Sequence, residues 1–237
     1  MTKPGFLLIL TTLWLPLVTH SCPILALPSA QKNHHDTFFS KQPVKKENVC
    51  FVTFTQVYDH EFARDAILNE SFPGFKEDYL LLHCLIKKYR PKNFFEIGTC
   101  EGEGTLIIKN AIGAGIVYSL ELPPHLLQQT DYKFLVNRIG IRCRLPYIQC
   151  YGDSMTYNYA QHFPIEGWFI DGQHDYVHAF HESKQAILSN AQLIIWHDTD
   201  IPEVFQAIID AFSESKTYTL FRVQDTRITY ALRKTDI

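Results

Sequence analysis

The sequence predicts an α/β fold in which a mostly parallel, seven-stranded sheet carries helices on both faces. Three observations support it. An apolar run enters a glycine-rich turn and then a helical segment at residues 93–106, and strand-like runs alternate with helical patterns as far as residue 212. The chain ends with two runs rich in β-branched and aromatic residues, separated by a short turn. The alternation is typical of right-handed crossovers between parallel strands, and the ending predicts an antiparallel hairpin.

Length and composition are those of one ordinary globular domain. The chain has 237 residues, of which 46% are hydrophobic and 20% charged, as is normal for a packed core. The net charge of −3, without an extended basic cluster, argues against a nucleic-acid-binding surface. The six cysteines form no C-x-x-C pair and no zinc-binding spacing, so we expect reduced, structural thiols.

The first 30 residues have the pattern of an export signal. Lys3 precedes the apolar run Phe6–Val18, and small residues follow as far as Ala30. The run is short for a membrane span but fits the hydrophobic part of a signal peptide or an N-terminal anchor. Residues 1–30 are therefore left out of the predicted fold, and membrane contact is expected only through residues 6–18.

Two segments precede the predicted core. Residues 31–50 are polar and basic and predict a linker, and residues 51–91 predict an N-terminal helical cap. Within this cap a short helix is expected at Glu61–Leu68 and a longer one at Lys76–Arg90, which the following proline ends. The core is then expected to occupy residues 92–237.

The predicted core elements follow in alternating order. Strands are expected at Phe94–Ile97, Ile116–Glu121, Leu145–Cys150, Trp168–Ile170 and Gln192–Trp196. Helices are expected at Thr105–Ala111, His125–Asn137, Thr156–His162, Tyr176–Leu188 and Pro202–Phe212, and the hairpin at Thr217–Val223 and Arg227–Arg233. The strands show little polar alternation, which indicates that helices cover both faces of the sheet.

The glycine turn after the first core strand is the strongest functional signal. Glu96 stands two residues before Gly98, and Gly102 and Gly104 follow in the order E-x-G-x-x-x-G-x-G. Glycines let backbone N–H groups approach a ligand closely, as in nucleotide-binding sheets. The spacing differs from the dinucleotide fingerprint G-x-G-x-x-G, and a generic tight turn between strand and helix is the structural alternative.

Two acids follow the next strands of the predicted sheet. Ligands of open parallel sheets lie beyond the carboxyl ends of the strands. Glu121 ends the second core strand and could accept hydrogen bonds from both ribose hydroxyls of an adenosine, or remain solvated. Asp153 follows the third and could bind an adenine amino group or cap the following helix.

A further pair of acids follows the fourth and fifth core strands. Asp171 and Asp198 end neighbouring apolar runs, which favours a site for a hard divalent cation such as Mg²⁺. Asp198 could instead cap the next helix, but Asp200 and Glu203 already offer a capping box there. His174 lies three residues after Asp171 and could accept a hydroxyl proton near neutral pH, or simply bond to backbone.

Taken in order, the segments FFEIGTCEGEGT, YSLELPP, YGDS, FIDGQHDY and IIWHD resemble the class I S-adenosylmethionine (SAM) methyltransferases. More narrowly, they resemble the small, often metal-dependent O-methyltransferases with an I-D-G-x-H-x-Y segment. The resemblance covers about Tyr79 to Val204 and implies the Rossmann-like class I methyltransferase fold. The cofactor-binding residues that it implies are Glu96, Gly98, Gly102, Glu121 and Asp153. It also implies Asp171, His197 and Asp198 as metal ligands and His174 as general base.

The implied activity is SAM-dependent methylation of a hydroxyl group on a small molecule or sugar, aided by a divalent metal. His197 and Thr199 stand where related enzymes often complete the metal site with a third carboxylate or an amide, which leaves the metal's identity and necessity open. The alternative is a non-catalytic SAM- or nucleotide-binding protein of the same fold, an assignment that also fits an exported protein. The glycine spacing and terminal hairpin disfavour a nicotinamide oxidoreductase.

The compartment and the oligomeric state stay open at this stage. SAM use favours the cytoplasm, whereas residues 1–30 resemble an export signal or anchor.

Overall fold

The computed structural model describes residues 49–67 and 75–234. Its strands are β1 (Val49–Val52), β2 (Asn93–Ile97), β3 (Ile116–Glu121), β4 (Ile148–Tyr151), β5 (Gly167–Ile170), β6 (Leu193–Trp196), β7 (Tyr218–Val223) and β8 (Thr229–Arg233). Its α-helices are α1 (Phe54–Val57), α2 (His60–Ala63), α3 (Lys76–Tyr89), α4 (Glu103–Ile112), α5 (Pro124–Leu127), α6 (Tyr176–Leu188) and α7 (Pro202–Phe212). Short 3₁₀ turns lie at Lys133–Leu135 and Tyr159–His162.

In the described part of the chain, all eight strands form one sheet in the order β1-β7-β8-β6-β5-β2-β3-β4. Only β8 runs against its neighbours; the other paired strands are parallel. The predicted fold class is therefore confirmed, including the antiparallel hairpin. The predicted count of seven strands is wrong, because β1 adds an eighth strand at the edge beside β7 and begins inside the segment predicted as a linker.

Helices cover both faces of the sheet, as predicted. Side chains of successive strand residues point to opposite faces. Phe95, Trp168 and Trp196 therefore pack with small and apolar residues of α6 and α7. Their neighbours Phe94 and Phe169 pack instead with the leucines and isoleucines of α3 and α4. All five aromatic side chains are at most 1% exposed, so the central strands are buried from both sides.

Two predicted core helices are shorter in the structure than the sequence pattern suggests, and so is the cap helix expected at Glu61–Leu68, which ends at Ala63. The segment expected to be helical at His125–Asn137 ends its α-helix at Leu127. Thr130 explains this interruption, because its hydroxyl donates to the Leu127 carbonyl and accepts from the Tyr132 N–H. Such local side-chain bonds compete with the helical ladder. The segment predicted at Thr156–His162 forms only a 3₁₀ turn at its end.

The predictions for the N-terminal 48 residues lie outside the described residues. These include the export-like run Phe6–Val18 and most of the linker. Among the helices of residues 49–67 and 75–234, none combines the length and apolarity needed to cross a bilayer. The five cysteines in these ranges are all free thiols, in agreement with the expectation from their spacing.

Candidate cofactor and metal site

The sheet register brings the predicted site residues into one row. Leu120, Ile97, Ile170 and Trp196 pair across four adjacent parallel strands. The next residue of each strand is Glu121, Gly98, Asp171 and His197, respectively. These four residues consequently lie side by side at the carboxyl edge of the sheet, where ligands of open α/β folds bind.

The glycine turn needs glycine at its first two positions. Gly98 and Gly102 have φ angles of +94° and +93°, a region that L side chains rarely adopt. A Cβ atom on Gly98 would lie 2.0 Å from the carbonyl oxygen of Asp171, and one on Gly102 would lie 2.8 Å from the Cα atom of Gly140. The turn is thus packed directly against the loop that carries Asp171.

Glu96 lies beneath this turn rather than on its surface. The side chain has no exposed area, and its Oε2 atom accepts hydrogen bonds from the hydroxyls of Thr105 and Ser119, each at 2.5 Å. Burial raises the pKa of Glu96 to about 8. Through these hydrogen bonds the carboxyl group connects β2 with β3 and with the first turn of α4. A direct contact with a cofactor stays a prediction.

The Glu121 carboxylate is held by backbone donors at the end of β3. Its Oε2 atom accepts from the N–H of Cys100, and its Oε1 atom accepts from the N–H of Leu122, both at 2.9 Å. Partial burial raises its pKa. Each oxygen retains a further acceptor site. The carboxylate therefore stays oriented at the sheet edge and suits two neighbouring hydroxyl groups, as in a ribose.

Asp153 occupies an exposed turn after β4. Its Oδ1 atom accepts from the backbone N–H of Met155 at 2.9 Å. This bond closes an Asx turn and is not the helix cap that was one of the two alternatives for Asp153, because the next helical turn begins only at Tyr159. The other carboxylate oxygen of Asp153 is still able to accept a bond from an adenine amino group, so that contact stays a prediction.

The three predicted metal ligands come together at the ends of β5 and β6. One ligand atom from each of Asp171, His197 and Asp198 lies within 4.8 Å of the other two, in the only such group found among the described residues. The His197 Nδ1 atom lies 3.3 Å from Asp171 Oδ1 and 3.2 Å from Asp198 Oδ2. Asp198 adopts a positive φ of +50°, and in this conformation its carboxylate lies beside the His197 ring.

The environment of His197 fits a metal site. The residue is 5% exposed, and its Nδ1 atom is close to both carboxylates without forming a well-aligned hydrogen bond to either. Burial alone would lower the pKa of His197, but the carboxylate of Asp171, followed by those of Asp198 and Asp78, raises it well above the usual range. A buried nitrogen between two carboxylates is a suitable donor set for a divalent cation. The imidazole makes this set softer than the all-oxygen sets preferred by Mg²⁺.

His174 lies at the mouth of the same cluster. Its Nε2 atom lies 3.0 Å from Asp198 Oδ2 and 3.5 Å from Asp171 Oδ1. The hydrogen bond with Asp171 raises the pKa of His174. Burial works against ionisation of Asp171, yet His197 and His174 hold the pKa of Asp171 far below its usual range. The structure therefore places His174 beside the predicted ligands, with 38% of its side chain exposed.

Sequence reasoning missed two residues of this site. Asp78, in the first turn of α3, is 5% exposed and lies 3.3 Å from the His197 Nε2 atom. Arg227, between β7 and β8, lies 3.4 Å from Asp198 Oδ1 and stacks over the ring of Phe75 at 4.6 Å. An acid in a first helical turn usually indicates an exposed residue that complements the helix dipole, so the sequence held no signal for Asp78.

No protein-family model and none of the curated proteins match this chain. Solved structures similar to it include cofactor-bound Rv0187 from MTB, with 18% identity, coverage of 73% of this chain and 86% of that one, and a TM-score of 0.49. An O-methyltransferase from Bacillus cereus in complex with S-adenosylhomocysteine (SAH) has 14% identity, coverage of 84% and 94%, and a TM-score of 0.47. An SAH-bound methyltransferase from Podospora anserina has 12% identity, coverage of 80% and 92%, and a TM-score of 0.48. These likenesses are distant, so the function is inferred from the residues of this chain.

Proposed function

We propose that this protein is a SAM-dependent methyltransferase that methylates a hydroxyl group of a small molecule or sugar with the help of a divalent cation. One observation carries the proposal. The glycine turn and the cluster of Asp171, His197 and Asp198 share a wall, because Gly98 packs directly on the backbone of Asp171. A methyl donor held by the turn would therefore lie beside a hydroxyl group held at the cluster.

The residues around the turn fit an adenosine-bearing donor. Glu121 offers two fixed carboxylate oxygens for the ribose hydroxyls, and a charged acceptor strengthens such bonds. Gly98 and Gly102 allow the turn its positive φ angles and its close packing on the backbone of Asp171 and Gly140. Asp153 stands at the end of the third core strand, and we assign to it the adenine amino group.

The metal ligands would be Asp171, His197 and Asp198. The feature that best supports this assignment is the buried Nδ1 atom of His197, which lies between the carboxylates of Asp171 and Asp198 without a well-aligned hydrogen bond to either. When bound, SAM supplies an electrophilic methyl group, and a divalent cation makes a coordinated hydroxyl more acidic.

His174 is placed to receive the proton of the acceptor hydroxyl. Its Nε2 atom faces the carboxylates of Asp171 and Asp198, and its partial exposure leaves a route for the proton to solvent. The remaining task of the chain is to hold donor and acceptor in line. Positioning of this kind can supply about 7–11 kcal/mol of barrier reduction.

The test separates binding from methyl transfer. Asp171→Ala and His174→Ala should abolish turnover on an accepted hydroxyl compound while SAM binding, measured by calorimetry, stays largely intact. His178→Ala is the matched control, because His178 pairs with Asp175 at the start of α6 and should leave turnover unchanged. Normal turnover in both site variants would refute the roles of metal and base.

Calorimetry with SAM, SAH and NAD also separates the alternatives. A non-catalytic SAM-binding protein would bind SAM or SAH but give no methylated product and no response to divalent cations. Preferential binding of NAD would contradict the proposal as a whole. N-terminal sequencing of the native protein from separated cell fractions would show in which compartment the donor must be available.

A further inference from the structure

Asp78 joins three parts of the molecule at the back of the cluster. It lies in the first turn of α3, 119 residues before His197 in the chain. Its Oδ1 atom accepts from the backbone N–H of Arg227 at 3.1 Å, and its Oδ2 atom lies 3.3 Å from His197 Nε2. The carboxylate is 5% exposed. A buried carboxylate lowers the stability of the fold unless both of its oxygens have hydrogen-bond partners.

These contacts determine which nitrogen of His197 keeps its hydrogen when a metal is bound. Without a metal both nitrogens face carboxylates, Nε2 facing Asp78 and Nδ1 facing Asp171 and Asp198, so both carry hydrogen, and only the hydrogen on Nδ1 is exchanged for the metal. An ionised carboxylate only accepts hydrogen bonds, so the imidazole must present an N–H group to Asp78 at Nε2. In the neutral ring the lone pair then belongs to Nδ1. That atom is the one that faces Asp171 and Asp198. The position of Asp78 therefore selects the tautomer that is able to bind a metal.

We propose that Asp78 is the positioning residue that fixes His197 as an Nδ1 metal ligand; this inference rests on the metal site of the proposed function. A carboxylate behind a ligating histidine orients the ring and makes its free nitrogen a better donor. Through Arg227, Asp78 also ties the ring to the turn between β7 and β8. Asp78 does not touch the metal itself, and its effect passes through His197.

The experiment compares Zn²⁺ and Mn²⁺ affinities by calorimetry in the full chain and in Asp78→Ala. Loss of the carboxylate should weaken metal binding by about 10–100-fold, the usual effect of removing such an outer partner. Asp65→Asn is the control. Asp65 also pairs with the Nε2 atom of a buried histidine, His83 of α3, at 3.0 Å, but this histidine lies outside the metal cluster. This control should leave both affinities unchanged.

A spectroscopic measurement distinguishes positioning from a purely structural role. In ¹⁵N-histidine spectra of the Zn²⁺-loaded protein, His197 should show hydrogen on Nε2 and metal on Nδ1. In Asp78→Ala this pattern should be lost or mixed, although the circular dichroism spectrum stays native. If Asp78→Ala does not fold, Asp78→Asn is measured in its place. Asparagine has one acceptor oxygen for two donors, the Arg227 N–H and the His197 Nε2–H. A smaller loss of metal affinity, in the same direction, is then expected.

The outcomes separate this inference from the proposed function. Metal binding by the native chain, with equal affinity and an unchanged His197 pattern in the Asp78 variants, would overturn the inference and leave the metal site standing. If the native chain binds neither Zn²⁺ nor Mn²⁺, the metal part of the proposed function fails together with the inference.

Discussion

Glu96→Gln is the sharpest test of how the glycine turn is supported. Glutamine has nearly the shape of a protonated glutamate, and its amide oxygen is able to accept the bonds from Thr105 and Ser119 that Glu96 Oε2 receives. The substitution therefore removes the ionisation of this side chain and keeps its packing. The difference in unfolding free energy between variant and native chain isolates that ionisation.

The magnitude follows from the pKa of Glu96. Burial raises it from an ordinary value of 4.5 to about 8 in the folded protein. Between these two values the folded chain keeps a proton that the unfolded chain has lost, so native stability falls as pH rises and levels off above about 8. Below 4.5 both states are protonated and the contribution is constant. An interval of about 3.5 pH units, at about 1.4 kcal/mol each, amounts to about 5 kcal/mol at most.

The assay is urea unfolding of both proteins at intervals from pH 5 to pH 9. The unfolding free energy of Glu96→Gln minus that of the native chain should rise by about 1.4 kcal/mol for each pH unit between pH 5 and 7.5. This difference should stop growing above about pH 8. Other titrating groups are common to both proteins and cancel in the difference. A gap that does not change with pH would mean that Glu96 is ionised in the folded state, and the reasoning about its burial would be wrong.

Two further substitutions test the turn and the ribose acid. Gly98→Ala should lower the free energy of unfolding by about 3 kcal/mol or more, since its Cβ would meet the Asp171 carbonyl in addition to the backbone strain of positive φ. Gly113→Ala, where the backbone is also strained for alanine (φ +64°, ψ −113°) but the added Cβ meets nothing in the described structure, should lose only the strain of about 1–3 kcal/mol in the same thermal unfolding experiment; equal losses would contradict the close contact at Gly98. Glu121→Gln should weaken SAM binding about tenfold or more in calorimetry, because charge-assisted bonds contribute about 1.5–3 kcal/mol, and an unchanged affinity would refute the ribose assignment.

The sequence was most informative where local chemistry decides the structure. The predicted bounds of Tyr176–Leu188 and Pro202–Phe212 agree with α6 and α7. Asp175 caps the first of these helices through the N–H of His178, and proline opens the second at a position that needs no N–H donor. Both boundaries are encoded within a few residues, so no knowledge of the remaining fold is needed.

Elements that depend on distant partners were predicted less well. Strand β1 has only four residues, and Cys50 and Phe51 at its centre are exposed, so it lacks the apolar pattern that identifies a buried strand. Its place beside β7 is a long-range pairing. Asp78 is a similar case, because α3 is recognisable from its sequence but the packing of its first turn against His197 depends on the tertiary structure.

The predicted metal cluster was accessible from the sequence because the sheet itself assembles it. Asp171 and His197 directly follow residues that are paired in β5 and β6, so their neighbourhood depends on strand register rather than on loop conformation. A shift of one residue in β5 would move Asp171 out of the row and would also turn Trp168 away from the face that it fills. The large side chains that pack the two faces therefore hold the register, and through it the distance between the glycine turn and the cluster. Core packing and the geometry of the site are in this sense one constraint, so strand ends recognised in the sequence were sufficient to bring Asp171, His197 and Asp198 together, whereas Asp78 and Arg227 were missed.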